Sequence, residues 1–219
     1  IVSITEFVQH AEKLGVTCAW SHEAWGSDAA TPLAYLAAKT SRIRLGCGVF
    51  QISARVPSMI AMTALTLDAL SEGRFILGLG ASGPRVVEGL HGVAYNGPLS
   101  RLRETVDIVR LACRGQKLTY KGKYHELPRT GGEGQPLRLD LTPRPDLPIY
   151  LATLGPKALE YTGATANGWL GTSFSPEHAA AHMKHLQRGA ETTGRKFTDI
   201  DLQVTCNVAI GDNVEALIA

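Results

Sequence analysis

Short apolar runs alternate with amphipathic stretches along most of this chain. Six runs predict buried strands, and the apolar side chains between them recur at the three- and four-residue spacing of a helix. The predicted strands are 16–20, 42–50, 75–80, 148–152, 169–172 and 201–210. The predicted helices are 4–14, 31–39, 57–70, 100–114, 156–164 and 175–188, with one more beginning at 214. Strands that alternate with helices in this way form a parallel sheet covered by helices.

Local signals refine this pattern at two places. Thr31 is followed by Pro32, which predicts that Thr31 caps the second helix. Residues 116–146 break the alternation because they are rich in glycine, proline and charge, and 120–124 predicts a small hairpin within them. We therefore interpret 1–219 as a single domain with an insertion segment at 116–146.

The predicted elements are those of an α/β protein, a (β/α)8 TIM barrel that lacks its first and last strands. A closed eight-stranded barrel typically needs about 250 residues, and this chain has 219. It opens with a predicted helix, ends inside another, and starts with Ile1 instead of Met. We interpret it as an incomplete barrel.

The composition limits the possible functions. Hydrophobic residues make up 44% of the chain and charged residues 19%, which supports a sizeable core and excludes a disordered protein. A net charge of +2 gives no argument for a nucleic-acid partner. No apolar run approaches the roughly 20 residues of a membrane span. The four cysteines are far apart, which predicts reduced thiols in a cytoplasmic protein.

Polar residues follow the first predicted strand. Ser21, His22 and Glu23 bring a hydroxyl, an imidazole and a carboxylate into one loop, with Trp25 close behind. In a parallel α/β fold the functional site lies where strands end and helices begin. The loop is therefore a candidate for binding a planar ligand or for handling a proton, with His22 and Glu23 as candidate catalytic residues. The alternative is an exposed polar loop with a packing tryptophan.

Glycines mark the next two strand ends. Gly46 and Gly48 lie near the end of the second predicted strand, where a glycine lets a backbone approach a ligand or bends the strand. Residues 78–83 match the GxGxxG fingerprint of dinucleotide-binding folds. We reject that reading because Pro84 follows directly and Glu104, the acidic residue at the expected distance, falls in a predicted helix. The glycines instead predict a loop that lets a ligand lie close.

The fourth strand end leads into a helix at Pro156. The free N–H groups and the dipole of a helix start suit a phosphate, and Lys157 adds positive charge. Pro156 is equally a good first helical residue without any ligand. Thr172 ends the next strand in a comparable way, with the same two readings.

We assign no catalytic or metal-binding role to two other features of the sequence. His178, His182 and His185 recur on one predicted helical face, but no carboxylate lies between the first two as in a zinc-binding HExxH motif. We predict a solvated face and no metal site. Cys47 stands at a strand end with no base evident in the sequence, so we do not assign it as a nucleophile.

Five segments together resemble a known family. They are AEKLGVTCAWSHEAWG, TPLAYLAAKTSRIRLGCGVFQI, ALTLDALSEGRFILGLGASGP, LPIYLATLGPKAL and NGWLGTSFSP, of which TLDALSEGRFILGLG and SRIRLGCGV are the most specific. They span positions 11–176 in family order. The chain resembles the luciferase-like monooxygenase superfamily, and within it the branch of oxidoreductases that depend on the deazaflavin coenzyme F420.

The resemblance implies a barrel with insertions, a homodimer, and a cofactor across the carboxyl-terminal mouth of the barrel. It also implies a cis peptide bond between Gly48 and Val49 that supports the cofactor ring, ring contacts from Glu23, and a phosphate held by the backbone of 154–155. With the neighbouring strand ends, the expected cofactor-binding residues are Ser21, Glu23, Gly48, Val49, Gln51, Gly80, Ala81, Ser82, Thr153, Leu154, Gly155 and Thr172.

The chain departs from the sugar-phosphate dehydrogenases of that branch. They have a histidine after the acidic residue, where this chain has Ala24, and a glutamate where it has Gly83. A sugar phosphate is therefore disfavoured, and the expected activity is hydride transfer between F420 and an unidentified small organic substrate. The alternatives are an FMN-dependent monooxygenase and a non-catalytic subunit of the same fold that only binds a cofactor or a partner.

Overall fold

The structure, a computed structural model, describes residues 2–172, 174–206, 208 and 211. It is a parallel sheet flanked by helices, as the alternating pattern predicts. The helices are α1 (Val2–Lys13), α2 (Ala30–Ala37), α3 (Pro57–Leu70), α4 (Pro84–Val87), α5 (Pro98–Cys113), α6 (Pro156–Thr165) and α7 (Ala180–Thr192). The strands are β1 (Cys18–Ser21), β2 (Arg44–Cys47), β3 (Phe50–Gln51), β4 (Phe75–Gly80), β5 (Tyr120–Lys121), β6 (Glu126–Leu127), β7 (Ile149–Ala152), β8 (Gly168–Gly171) and β9 (Asp201–Val204).

The main sheet runs in the order β1-β2-β4-β7-β8-β9, with β3 paired to β4. Every pair in this sheet is parallel. All its strands therefore end at one edge, which is where a site is expected. Among the described residues the sheet does not close, because β1 and β9 each have a single partner.

Two apolar cores hold the helices against the sheet. The larger lies between the sheet and α2, α3 and α5, and includes the fully buried Leu33, Ile60 and Leu77. The smaller joins α6 and α7 to β8 around Trp169. The backbones of α6 and α7 approach closely there, since a Cβ on Gly189 would come within 1.9 Å of a carbonyl oxygen on α6.

Several predicted element boundaries are wrong. The strand predicted over 201–210 ends at Val204, and the helix predicted over 175–188 begins at Ala180 and continues to Thr192. The predicted strand 42–50 is two strands, β2 and β3, because the chain breaks from the ladder at Gly48 and Val49. Helix α2 begins one residue before the predicted cap Thr31, whose N–H instead donates to Asp28 Oδ1 at 2.8 Å. The predicted hairpin at 120–124 extends further, because β5 pairs with β6 across the turn 122–125. The helix predicted from 214 lies outside the described residues.

The predicted solvated histidine face is wrong for His182 and His185, which lie on α7, whereas His178 lies in a short 3₁₀ helix before α7. The His182 ring lies 5.3 Å from the Trp169 ring, and His185 Nδ1 lies 3.2 Å from Glu160 Oε1. This face turns inward because α7 packs on α6 and β8, so only His178 is exposed. No group of three metal-binding side chains occurs in the part of the chain that is described.

Glu104, the acidic residue considered for the dinucleotide fingerprint, anchors the hairpin instead. Its buried carboxylate accepts the backbone N–H groups of Lys123, Tyr124 and His125 at 2.7–2.9 Å. Through these hydrogen bonds Glu104, which lies on α5, fixes the turn between β5 and β6.

We expect Glu104→Ala to destabilise the protein by about 2–4 kcal/mol, because three backbone donors lose their charged acceptor. Glu104→Gln should cost less, since one amide oxygen still accepts. Urea unfolding measures both. A loss below about 0.5 kcal/mol for the alanine variant, the range of ordinary surface changes, would show that the turn holds without this anchor.

A second glutamate makes stability depend on pH. Glu12 Oε1 accepts the N–H groups of Ser41, Arg42 and Ile43 between α1 and β2. These hydrogen bonds, that from Ile43 foremost, lower the pKa of Glu12 below its usual 4.5. A lowered folded-state pKa contributes stability above the unfolded pKa, and that stability is lost as the pH falls through the folded value. We expect Glu12→Gln to be less stable than the wild type at pH 7, with the gap closing at pH 3, as measured by urea midpoints at both pH values.

No helix among the described residues is both long and apolar enough to cross a membrane.

Candidate functional site

A cleft of about 480 Å³ opens at the carboxyl ends of β4, β7 and β8. Tyr95, Pro98 and Leu99 cover one side of it, and Ala158 and Leu170 complete the wall. The predicted cofactor-binding residues that line this cleft are Gly48, Val49, Gly80, Ala81, Ser82, Thr153, Leu154, Gly155 and Thr172. Residues more than 120 positions apart in sequence are therefore brought to one surface.

The cleft wall formed by the segment before β3 and the end of β4 is built from small residues, Gly48, Gly80 and Ala81 among them. The peptide bond between Gly48 and Val49 is cis, as the family resemblance implies. A Cβ on Gly80 would come within 2.8 Å of the Val49 side chain, so glycine is required for this close approach. Ser82 follows with a φ of 57°, which turns the chain out of the sheet.

The opposite wall is the start of α6. Gly155 is its N-cap and no side chain caps the helix, while a Cβ built on Gly155 meets nothing within 4 Å. Pro156 has no N–H, and the N–H of Ala158 donates to Gly155 O at 2.9 Å. Among the described residues, the N–H groups of Gly155 and Lys157 are therefore the ones left free at this helix start. Thr153 is structural, since its hydroxyl bonds Thr162 and its carbonyl oxygen accepts the Trp169 indole N–H at 2.8 Å.

Glu23 lies outside this cleft and links two loops. Its carboxylate is only 10% exposed and accepts four hydrogen bonds, two on each oxygen. Oε1 accepts from Gln51 N and Arg55 Nε, and Oε2 accepts from Ala29 N and Arg55 Nη2 at 3.0–3.3 Å. The bidentate ion pair raises the pKa of Arg55 above its usual value. The four lone-pair positions of the carboxylate are thus occupied.

The other predicted residues near Glu23 are less central. His22 is exposed, and the Ser21 carbonyl oxygen accepts Gly48 N–H at 2.7 Å, so Ser21 holds the strand end in place. Gln51 is 3% exposed, and its Nε2 donates to the carbonyl oxygens of Glu23 and Ala24.

Arg55 is one residue of the candidate site that the sequence analysis did not identify. Its guanidinium lies 4.7 Å from the Phe50 ring and forms the ion pair with Glu23 across 32 positions of sequence. A basic residue four positions after the strand-end Gln51 was the available signal. Tyr95 was missed as well, because it lies in a loop whose covering position depends on tertiary packing.

Cys47 is inert, as expected. Its thiol is fully buried, donates to Gly78 O at 3.2 Å and accepts Gly78 N–H at 3.1 Å. Burial raises the pKa of Cys47 to about 12, so little thiolate forms near neutral pH.

The sequence and the fold of this chain are shared with known proteins. The sequence profile of the luciferase-like monooxygenase family matches residues 1–219. The chain belongs to this family. A protein of Mycobacterium tuberculosis named as a candidate coenzyme F420-dependent oxidoreductase is 43% identical over 222 residues, which cover 98% of this chain and 64% of that protein. A 5,10-methylenetetrahydromethanopterin reductase of Methanolobus tindarius is 28% identical, over 92% of this chain and 60% of the reductase.

A solved structure supports the fold assignment of this family member. The coenzyme F420-dependent tetrahydromethanopterin reductase of Methanopyrus kandleri superposes with a TM-score of 0.84 at 26% identity, over 94% of this chain and 62% of that one. The predicted luciferase-like barrel class is therefore confirmed. The chain spans about three-fifths of the length of the relatives it matches.

Proposed function

We propose that the protein is an F420-dependent oxidoreductase that transfers a hydride between the deazaflavin and a small organic substrate. The observation that carries the proposal is the convergence of nine predicted cofactor residues on one cleft, in a chain 43% identical to a protein named for F420 dependence. Bound deazaflavin supplies two-electron hydride chemistry, while the protein supplies binding and orientation.

The residues present fit such a cofactor. The small residues Gly48, Gly80 and Ala81 leave room along one wall for a planar ring. The uncapped start of α6, with open space above Gly155, suits an anionic phosphate, and the helix dipole favours negative charge there. Lys157 adds a positive charge in the first turn.

The surrounding residues hold the loops beside this cleft in place. Glu23 and Arg55 hold the loop after β1 against the loop after β3. Tyr95 donates from its hydroxyl to Ser82 O at 3.3 Å and so covers the turn after β4. Since the Glu23 carboxylate is fully engaged, we propose a positioning role for Glu23 instead of the catalytic role expected from the sequence.

The fold also serves FMN-dependent members of the family, and a subunit that only binds a cofactor or a partner is the third possibility. Titrating the intact protein with oxidised F420 and, separately, with FMN separates them by fluorescence. Saturable binding of F420 alone is the expected result. Preference for FMN would replace the proposal by a monooxygenase, and binding of neither would favour the non-catalytic subunit.

We also propose a cytoplasmic homodimer. The side chains of Tyr35 on α2 and of Met59 and Met62 on α3 are large, apolar and exposed, and these two helices pack together. Reduced thiols at Cys18 and Cys47 fit a reducing compartment. Sedimentation equilibrium should give twice the monomer mass, and a concentration-independent monomer would contradict the dimer.

A further inference from the structure

A separate cavity of about 230 Å³ lies behind Tyr95. Tyr95 and Pro98 line both this cavity and the cofactor cleft, so these two residues stand between the two spaces. Of the expected cofactor-binding residues, all of which are described, only Ala81 borders the cavity. We name it the Arg101 chamber, after the arginine of α5 that lines it.

Most of the chamber wall is apolar. The aliphatic side chains that line it are those of Ile52, Val56, Val87 and Val93, and Val87 is only 2% exposed. A largely apolar cavity with a few polar groups is typical of a small-molecule site. The polar groups of the chamber therefore decide which ligand it can take.

The charged groups of the chamber are positive. Arg55 and Arg101 line it, and no aspartate or glutamate of the described residues does. The ion pair with Glu23 compensates the charge of Arg55. Arg101 has no carboxylate within ion-pair distance in the described part of the chain, and Glu104, one turn along α5, spends its carboxylate on three backbone N–H groups. An uncompensated guanidinium beside an apolar cavity favours an anionic ligand.

The guanidinium of Arg101 is held in place by its protein contacts. Its Nε donates to Asn96 O at 3.0 Å, its Nη2 donates to Asn96 Oδ1 at 2.8 Å, and the group lies 4.3 Å from the centre of the Tyr124 ring. Arg101 Nη1 has no hydrogen-bond partner among residues 2–172, 174–206, 208 and 211. A ligand that binds to Nη1 therefore meets a donor that has already lost much of its conformational freedom.

His125 adds a neutral hydrogen-bonding group to the same chamber. Burial foremost, and also the charge of Arg101, lower the pKa of His125 against the opposing effect of Glu104. The imidazole is therefore mainly neutral at neutral pH and offers one N–H donor. The effect of Arg101 on this pKa also indicates that the two side chains are close to each other.

We propose that the Arg101 chamber binds a small organic acid, a carboxylate on a compact apolar body. The carboxylate accepts hydrogen bonds from Arg101, whose positive charge it compensates, while the apolar body packs against side chains such as Val87 and Val93. An amide of the same shape lacks the negative charge and binds more weakly. The proposal concerns a second site and does not rest on the proposed oxidoreductase function.

Two probes of matched shape and different charge test the chamber. The intact protein, without F420, is titrated by calorimetry with 3-phenylpropionate and with 3-phenylpropanamide. We expect the acid to bind at least about tenfold more tightly, the difference typical of hydrogen bonds to a charged group. The methyl resonances of Val87 and Val93, assigned with Val87→Ala and Val93→Ala, report where the probe binds. Equal affinity for acid and amide, or methyl signals that do not move, would overturn the proposal.

Variants of the chamber complete the test. Arg101→Met should abolish the preference for the acid, and Arg101→Lys, which keeps the charge, should retain part of it. Arg85→Met removes an exposed guanidinium from α4, outside the chamber, and should leave the preference intact. Val93→Phe should weaken the binding of both probes, because the larger side chain fills the chamber. A cooperative thermal transition near that of the wild type establishes that each variant is folded.

Two results with these variants would contradict the proposal. They are a full preference for the acid in Arg101→Met and unchanged binding of the acid in Val93→Phe. Failure of the protein to bind F420 would bear only on the oxidoreductase assignment, because both probes are titrated without the cofactor.

Discussion

Replacing Arg55 by methionine is expected to lower the free energy of unfolding by about 2–4 kcal/mol. The substitution leaves the Glu23 carboxylate, only 10% exposed, with two of its four donors. The loops after β1 and β3 then lose the ion pair that joins them, so we also expect weaker F420 binding. Urea unfolding and F420 titration measure the two effects.

The control variants separate the ion pair from a general loss of charge. Arg138→Met removes an exposed guanidinium and should change stability by less than about 0.5 kcal/mol. The double variant Glu23→Gln/Arg55→Met should cost less than the sum of the single variants, because each single change leaves a charged partner buried. Strict additivity would show that Glu23 and Arg55 stabilise the protein independently.

Gly78→Ala is expected to destabilise the protein by about 3 kcal/mol or more, at the upper end of overpacking effects. A Cβ at this position would lie 1.9 Å from the Cys47 carbonyl oxygen, and backbone in a paired strand cannot move aside. The change therefore separates β4 from β2. Thermal unfolding gives the size of the effect.

Gly83→Ala is the matched control from the same glycine motif. Nothing lies within 4 Å of a Cβ at Gly83, and its φ of −128° suits any residue. We expect its stability to stay close to that of the wild type. Equal effects at the two positions would contradict the conclusion that sheet packing, and not a dinucleotide loop, requires the first glycine.

The spacing of apolar residues along the chain predicted the strands and helices whose positions depend mainly on local sequence. Buried runs such as 75–80 form the central strand, and the rejection of a dinucleotide fingerprint agrees with Gly78 and Gly80 lying inside β4. The break in 42–50 could not be predicted from periodicity, because the residues of both β2 and β3 are mostly buried. The inward turn of His182 was equally hidden, since it depends on the packing of α7 against Trp169.

In the candidate site, too, residues placed by strand position were predicted, whereas long-range contacts between side chains were not. Strand-end position alone, with the family resemblance, placed nine residues on one cleft. The polar loop after the first strand also suggested Glu23 as a group for proton chemistry, whereas the structure shows its oxygens engaged by Arg55 and two backbone N–H groups. Long-range pairs such as this one depend on how two loops meet, which no local pattern encodes.

The most direct test of the cofactor assignment is the F420 affinity of two variants at Gly155. Gly155→Pro removes one N–H donor at the start of α6, and the φ of −73° there is compatible with proline. Gly155→Ala keeps the donor, and its Cβ meets open space. We predict that F420 binds Gly155→Pro at least about tenfold more weakly than the wild type, the loss expected for one hydrogen bond to a charged group, and binds Gly155→Ala normally. Equal affinity in both variants would contradict a phosphate at this helix start and, with it, the proposed placement of the deazaflavin.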